Sequence, residues 1–257
     1  MTVAAVKEAV KFHVTDEEHA VRRDLAALYR LAALEHYDDL LLTHISARVP
    51  GGEDHFLINP FGLRFAEVTA SSLVKIDLEG NKLSESPFRI NYAGFVIHSA
   101  IHMARHDARF IIHFHTDDGV AVASQKDGLL PLNQRALQVL RSLAYHDYEG
   151  VATDLGERER IVADLGNNNA LLLRNHGTLA LGETAGAAWL AIYNLERACA
   201  TQVRALSAGR DGVLEAPRDA QEKVSRPPNP ERRREMAELT WASLLRRVEA
   251  ECPGFDD

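Results

Sequence analysis

Apolar residues along this chain switch repeatedly between a helical spacing and a two-residue alternation, which predicts an α/β domain. Thr15 with Glu18 three residues on matches a capping box. The helix it opens carries Val21, Leu25, Leu28 and Ala32 on one face as far as about residue 36. Residues 40–48 are apolar and then alternating, the Pro50-Gly51-Gly52 turn follows, and 56–58 resume the pattern, so the segment reads as a hairpin. Asn59-Pro60-Phe61-Gly62 turns the chain again, and a strand over 71–78 stops at Glu79-Gly80-Asn81. A helix over 91–105 aligns Phe95, His98, Ile101 and His102, and a strand follows over 108–115. Beyond a loop at 128–131 the pattern predicts a helix over 134–143, an irregular stretch at 145–148 and a helix over 156–165. Strands at 170–174 and 178–182 precede the longest helix, 184–206, whose Trp189, Ile192, Leu195 and Cys199 are spaced for burial.

These elements divide the chain into an N-terminal arm (1–14), one domain (15–207), a linker rich in Gly, Pro and mixed charge (208–228) and a helical tail (229–257). Asn229 and Pro230 supply the cap and first-turn residues of that tail. Its Leu239, Trp241, Leu244 and Leu245 are expected to pack on the domain or on a neighbouring subunit, and Arg232–Arg234 to form a solvated face. No internal repeat breaks the pattern.

Composition narrows the function. The chain of 257 residues carries a formal charge of −8, which argues against nucleic acid as a partner, because neutralising phosphates needs a basic surface. The two cysteines, Cys199 and Cys252, make no disulfide framework and suit a reducing compartment. No apolar run reaches bilayer length and no secretory leader is evident, so a cytoplasmic protein with no membrane partner is expected.

The count of twelve histidines matters because of where some fall. Side chains two apart on a strand share a face, so His113 and His115 point the same way, while Phe110, Ile112 and Phe114 point to the other side. Two imidazoles at a strand end are a ready pair of metal ligands, although two ordinary surface histidines would look the same. His176 follows the apolar strand Leu171-Leu172-Leu173 and precedes Gly177, which allows a sharp exit. A third histidine there could complete a three-imidazole site that leaves a coordination position open.

His113-Phe114-His115-Thr116, Leu173-Arg174-Asn175-His176-Gly177 and the intervening Tyr145-His146-Asp147-Tyr148-Glu149-Gly150 resemble the class II aldolase/adducin family. So do Thr43-His44-Ile45-Ser46-Ala47-Arg48, Asn59-Pro60-Phe61-Gly62, the run from Thr69 to Lys75 and Asn91-Tyr92-Ala93-Gly94-Phe95, in the right order over about residues 20–207. The resemblance implies a three-layer α/β/α domain around a mixed, largely antiparallel sheet. It also implies one divalent metal ion per chain on His113, His115 and His176, and a homotetramer with its site near a subunit interface. Zinc is the expected metal, with iron, manganese, cobalt and nickel also accommodated.

The departures from the family pattern bear on the reaction. Family members acting on sugar phosphates carry Ser-Ser-Glu at the start of the helix before the paired histidines. Counting back from His98, those positions here hold Tyr92, Ala93 and Gly94, so the acid/base Glu is missing. The family's Gly-Asn phosphate loop is replaced by Thr43-His44. The expectation is therefore a metal-dependent lyase for aldol or other C–C cleavage on a small, oxygenated, non-phosphorylated substrate. The alternatives are a non-haem iron oxygenase of the same fold, or a non-catalytic, adducin-like assembly domain. The candidate catalytic groups are His44, Gln134, Tyr145 and His146, with Glu67 a further candidate.

Overall fold

A computed structural model of the chain describes residues 14–51, 54–151, 154–226 and 229–257. The arm expected over 1–14, Val14 apart, lies outside the described residues, as does Gly52 of the first turn.

Seven strands form one sheet: β1 (His44–Arg48), β2 (Phe56–Ile58), β3 (Val74–Ile76), β4 (Phe110–Phe114), β5 (Leu143–His146), β6 (Ala170–Leu173) and β7 (Gly177–Gly182). Their order across the sheet is β3-β2-β1-β4-β7-β6-β5. Every neighbouring pair is antiparallel except β5 and β6, which run parallel. The sheet is thus mixed and largely antiparallel, as expected. Among the described residues there are eight α-helices: α1 (Asp16–Leu34), α2 (Tyr92–Ala104), α3 (Asp117–Ala123), α4 (Gln134–Leu140), α5 (Glu157–Leu165), α6 (Ala185–Leu206), α7 (Arg218–Ser225) and α8 (Pro230–Glu251). None is long and apolar enough to cross a membrane.

Alternation along the central strands sorts the helices into two layers. Phe110, Ile112 and Phe114 of β4 enter one core with Leu25 and Leu28 of α1 and with Trp189, Ile192 and Leu195 of α6. Ile111 enters the opposite core with Leu171, Leu173 and Leu179, against Ile97 and Ile101 of α2 and Ile161 and Leu165 of α5. With both faces covered, β4 is buried at every position, which explains why every residue but His113 is apolar. His113, two residues from Ile111, lies on the α2 and α5 side.

Local pattern missed several features. The helix expected to reach 143 ends at Leu140, and the stretch expected to be irregular begins inside strand β5. This strand exists because β6 pairs with it in register, Ala144 opposite Leu171 and His146 opposite Leu173, after a crossover through α5. Its four residues carry too little alternation to announce it. The short helix α3 was not anticipated; Thr116 caps it by accepting the Gly119 amide at 3.1 Å. The expected linker holds α7, docked on α4, and is tied down where the Ala216 amide donates to the Pro131 carbonyl at 2.9 Å.

The capping box at Thr15 forms by half. Thr15 accepts the Glu18 amide, but the Glu18 carboxylate turns to Arg22 (2.9 Å) and Lys75 (3.0 Å), where it joins α1 to β3. The tail helix α8 lies on α1 and α6, with Trp241 Nε1 donating to Asp24 Oδ1 at 3.1 Å. Close approach there depends on Gly186, where a Cβ would sit 2.5 Å from the Ala237 carbonyl oxygen.

Glu196 on α6 is buried, and its carboxylate accepts the hydroxyls of Thr116 and Thr178. Loss of hydration outweighs both hydrogen bonds and raises its pKa from 4.5 to about 7. Such a carboxyl holds its proton more tightly when folded, so its contribution to stability is complete below about pH 4.5 and is lost as pH rises through about 7. Glu196→Gln should therefore flatten the dependence of Tm on pH. Relative to wild type, the variant should gain about 2 kcal/mol between pH 5 and pH 8, or roughly 4–8 °C in calorimetry. An unchanged slope would refute the assignment.

Candidate metal centre

Two chain segments, which carry three histidines, converge at the end of β4. His113 is the penultimate residue of that strand, and His115 lies just past its end on the same face. His176 is the last residue of the three-residue connection between β6 and β7, whose strands start pairing at Leu173 and Gly177. That connection turns because Asn175 takes a left-handed φ of +54°, a conformation Asn tolerates, and because the His176 amide donates to the Leu173 carbonyl at 3.1 Å. Gly177 then passes beneath the rings: a Cβ there would lie 2.3 Å from the Phe114 carbonyl oxygen and 3.0 Å from His115 Cδ2.

The three rings form a nearly equilateral triangle, with centroids 4.7 Å (His113–His115), 4.8 Å (His113–His176) and 4.8 Å (His115–His176) apart. Each offers one ring nitrogen, and these all lie within 4.8 Å of one another. The tautomers follow from their outer partners. His113 Nδ1 is 2.9 Å from the Thr178 carbonyl oxygen, which can only accept, so this nitrogen carries the proton. His115 Nδ1 is 3.1 Å from Asp39 Oδ2 and donates to it. Both Nε2 atoms therefore present bare lone pairs, and they face each other at 2.9 Å.

Two lone pairs at that distance repel unless a cation lies between them. Nitrogens bound to one metal at about 2.0–2.2 Å are roughly 3.0–3.4 Å apart, close to what is observed. A carbonyl and a carboxylate on the far nitrogens are the partners that orient metal-binding imidazoles. Burial, helped by the neighbouring imidazoles, lowers the pKa of His113 well below the ordinary value and that of His176 to about 4, so both are neutral near pH 7. Neutral imidazole is the form that binds metal. By donor chemistry, tautomer and spacing, these residues fit a divalent ion.

Other residues singled out in the sequence fall at varying distances from this cluster. His44 pairs with His113 across β1 and β4, its ring centroid 5.0 Å from that of His113. Its ring occupies the space opened by Gly94, where a Cβ would meet His44 Cδ2 at 2.4 Å. His146 lies at the end of β5 with Nδ1 2.7 Å from Asp164 Oδ2, in a small cleft that also takes in Tyr148, Arg174 and His176.

Tyr145, one residue earlier, points to the opposite side of the sheet. Its hydroxyl accepts the Leu129 amide at 3.1 Å and its ring lies under the Arg174 guanidinium. Gln134 is exposed at the start of α4, which packs on that same far side. The Glu67 carboxylate accepts the Arg64 amide at 2.9 Å and pairs with its guanidinium. Within one chain, the fold brings none of these three to the histidine cluster. Asp39 was not foreseen, because it lies in an irregular segment with no periodicity to mark it.

Comparison with known proteins agrees with this geometry. The description of the Class II Aldolase and Adducin N-terminal domain matches residues 23–203, and the chain belongs to that family. A Caulobacter vibrioides protein, provisionally named as a class 2 aldolase, is 56% identical over 256 residues, 97% of this chain and 96% of its own. Rat α-adducin is 46% identical over 202 residues, which make up 77% of this chain but only 27% of the adducin. The structure of L-fuculose 1-phosphate aldolase from Glaciozyma antarctica superposes with a TM-score of 0.80 at 26% identity, over 98% of this chain and 99% of that one.

Gly177→Ala should break the site without removing a ligand. The added methyl has no room against the Phe114 backbone, so the turn carrying His176 must shift, at a cost of about 1–3 kcal/mol. A lower Tm together with weaker zinc uptake in a titration is expected, whereas wild-type uptake would show that Gly177 does not set the ligand positions.

Proposed function

We propose that the chain is a metal-dependent lyase that cleaves a carbon–carbon bond in a small, oxygenated, non-phosphorylated substrate. Its divalent ion, zinc in the first instance, would be held by His113, His115 and His176. The observation carrying this reading is the pair of bare Nε2 lone pairs 2.9 Å apart, with His176 closing the triangle. When bound, such an ion polarises a carbonyl or stabilises an enolate. The protein's own residues hold the ligand imidazoles in one tautomer and supply His44 and His146 as the proton-handling groups nearest the site. A non-phosphorylated substrate is favoured because Tyr92 and Ala93 stand where family members acting on sugar phosphates carry serines.

Elemental analysis of protein purified without a metal-binding tag is the direct test. About one metal per chain is expected, lost in His113→Ala/His115→Ala and weakened in His176→Ala while the circular dichroism of each variant stays that of a folded protein. Iron in place of zinc would turn the reading towards an oxygenase. Wild-type protein that neither carries a metal nor takes one up would sink the enzyme reading. It would leave an assembly domain, the reading favoured by 46% identity to α-adducin.

We further propose a homotetramer as the working unit. Leu40 and Leu42, which flank the Asp39 segment, are 73% and 53% exposed, and Tyr148 beside the cleft is 54% exposed. Light scattering should report about four chains per particle; a monomer would refute the assembly without touching the metal site.

A further inference from the structure

Four buried side chains next to the metal centre form one line of hydrogen bonds. His44 and Ser46 are two apart on β1, and His98 and His102 are four apart on α2. Same-face strand neighbours are about 6.6 Å apart and same-face helix neighbours about 6 Å, so the two pairs mesh. His102 Nδ1 lies 3.0 Å from the Ala108 carbonyl oxygen. Ser46 Oγ lies 2.8 Å from His102 Nε2 and 2.5 Å from His98 Nδ1. His98 Nε2 lies 2.9 Å from His44 Nδ1.

Only one arrangement of protons satisfies this line. The carbonyl can only accept, so His102 Nδ1 donates and its Nε2 is bare. The single proton of Ser46 must then go to His102, which obliges Ser46 to accept from His98 Nδ1. His98 Nε2 is therefore bare and takes the Nδ1 proton of His44. Burial lowers His102 to about 3 and His98 well below the ordinary value, so each of these rings is neutral and carries a single proton. The line thus ends on a bare Nε2 of His44, which has no hydrogen-bond partner among the described residues. It lies where a Cβ on Gly94 would stand only 2.8 Å away.

We propose that His44 is a hydrogen-bond acceptor of the site, not a metal ligand. Its Nε2 lone pair, held bare by positioning residues His98, Ser46 and His102, receives an O–H donor seated beside the three histidines. The proposal rests on the metal reading above for the identity of that cluster, but the relay is testable without metal. A nitrogen locked in this way cannot donate, so the groups it admits are hydroxyls or water rather than a carbonyl or carboxylate oxygen. Gly94 is the specificity-determining position, because any larger residue drives the His44 ring aside.

Long-range 1H–15N spectra of the full-length, 15N-labelled protein distinguish protonated from bare imidazole nitrogens. In the metal-free protein His44 is expected as a single tautomer, protonated at Nδ1 and bare at Nε2. With zinc added, the Nε2 signals of His113 and His115 and one ring-nitrogen signal of His176 should move to coordinated positions while His44 Nε2 keeps the shift of an uncoordinated nitrogen. Ser46→Ala cuts the relay and Gly94→Ala displaces the ring, and each should lose the single-tautomer signature while still binding zinc. Protonation at Nε2 of wild-type His44 would overturn the proposal, as would movement of its Nε2 with the three ligands. Failure to take up zinc would overturn the metal reading instead, and the metal-free spectrum would still decide the relay.

Discussion

The antiparallel pairing of β4 with β7 is the constraint on which the rest of the site depends. Its register sets His113 opposite Leu179 and Phe114 opposite Thr178, so the Thr178 carbonyl lies within reach of His113 Nδ1 and selects its tautomer. The same register brings the start of β7, and with it the turn carrying His176, alongside His115. A one-residue slip would turn His113 into the apolar core on the other face and break all three relations at once. The register holds because β4 is buried on both faces, packed under α1 and α6 on one side and α2 and α5 on the other.

The two helical layers do different work. The α6 layer is closely packed and largely apolar, its buried polar groups including Glu196 with its two threonine hydroxyls, Gln202, and Glu18 with Arg22 on α1. The α2 layer carries the polar interior: His44, Ser46, His98, His102 and His113 are all buried on that side. Burying so many imidazoles is tolerable because each is neutral and nearly every ring nitrogen has a partner, while an unpartnered polar group costs about 1–3 kcal/mol. The ring of His44, with its bare nitrogen, lies beside the three-histidine cluster, its centroid 5.0 Å from that of His113.

The family context sharpens the contrast at Gly94. The chain, similar to both aldolase-named proteins and adducins, brings three imidazoles together but has no side chain at that helix position. The adjacent strand fills that space with the ring of His44. Whether two side chains can share a space is a property of the packing between β1 and α2, and neither segment reveals it alone.

The paired histidines of β4 were legible because strand alternation is local: residues 113 and 115 must share a face whatever surrounds them. His176 was legible through its apolar strand and the glycine after it. The helices α1, α2 and α6 announced themselves by apolar spacing, and most of the sheet by short apolar runs between turn residues. Strand β5 and helix α3 were not legible, because four and seven residues carry too little periodicity and their stability comes from β6 and α6. Tyr145 and Gln134 looked like site residues by chemistry alone, yet Tyr145 faces the far side of the sheet and α4 packs there.

By itself, the sequence determined the family, the layered α/β class and the three histidines of the cluster, since these depend on local spacing and on the order of motifs. Only the tertiary structure decided the tautomers, the Asp39 partner, the relay behind His44 and the meaning of Gly94. Those depend on which atoms from distant segments come within 3 Å of one another, and that distance is set by packing across the sheet.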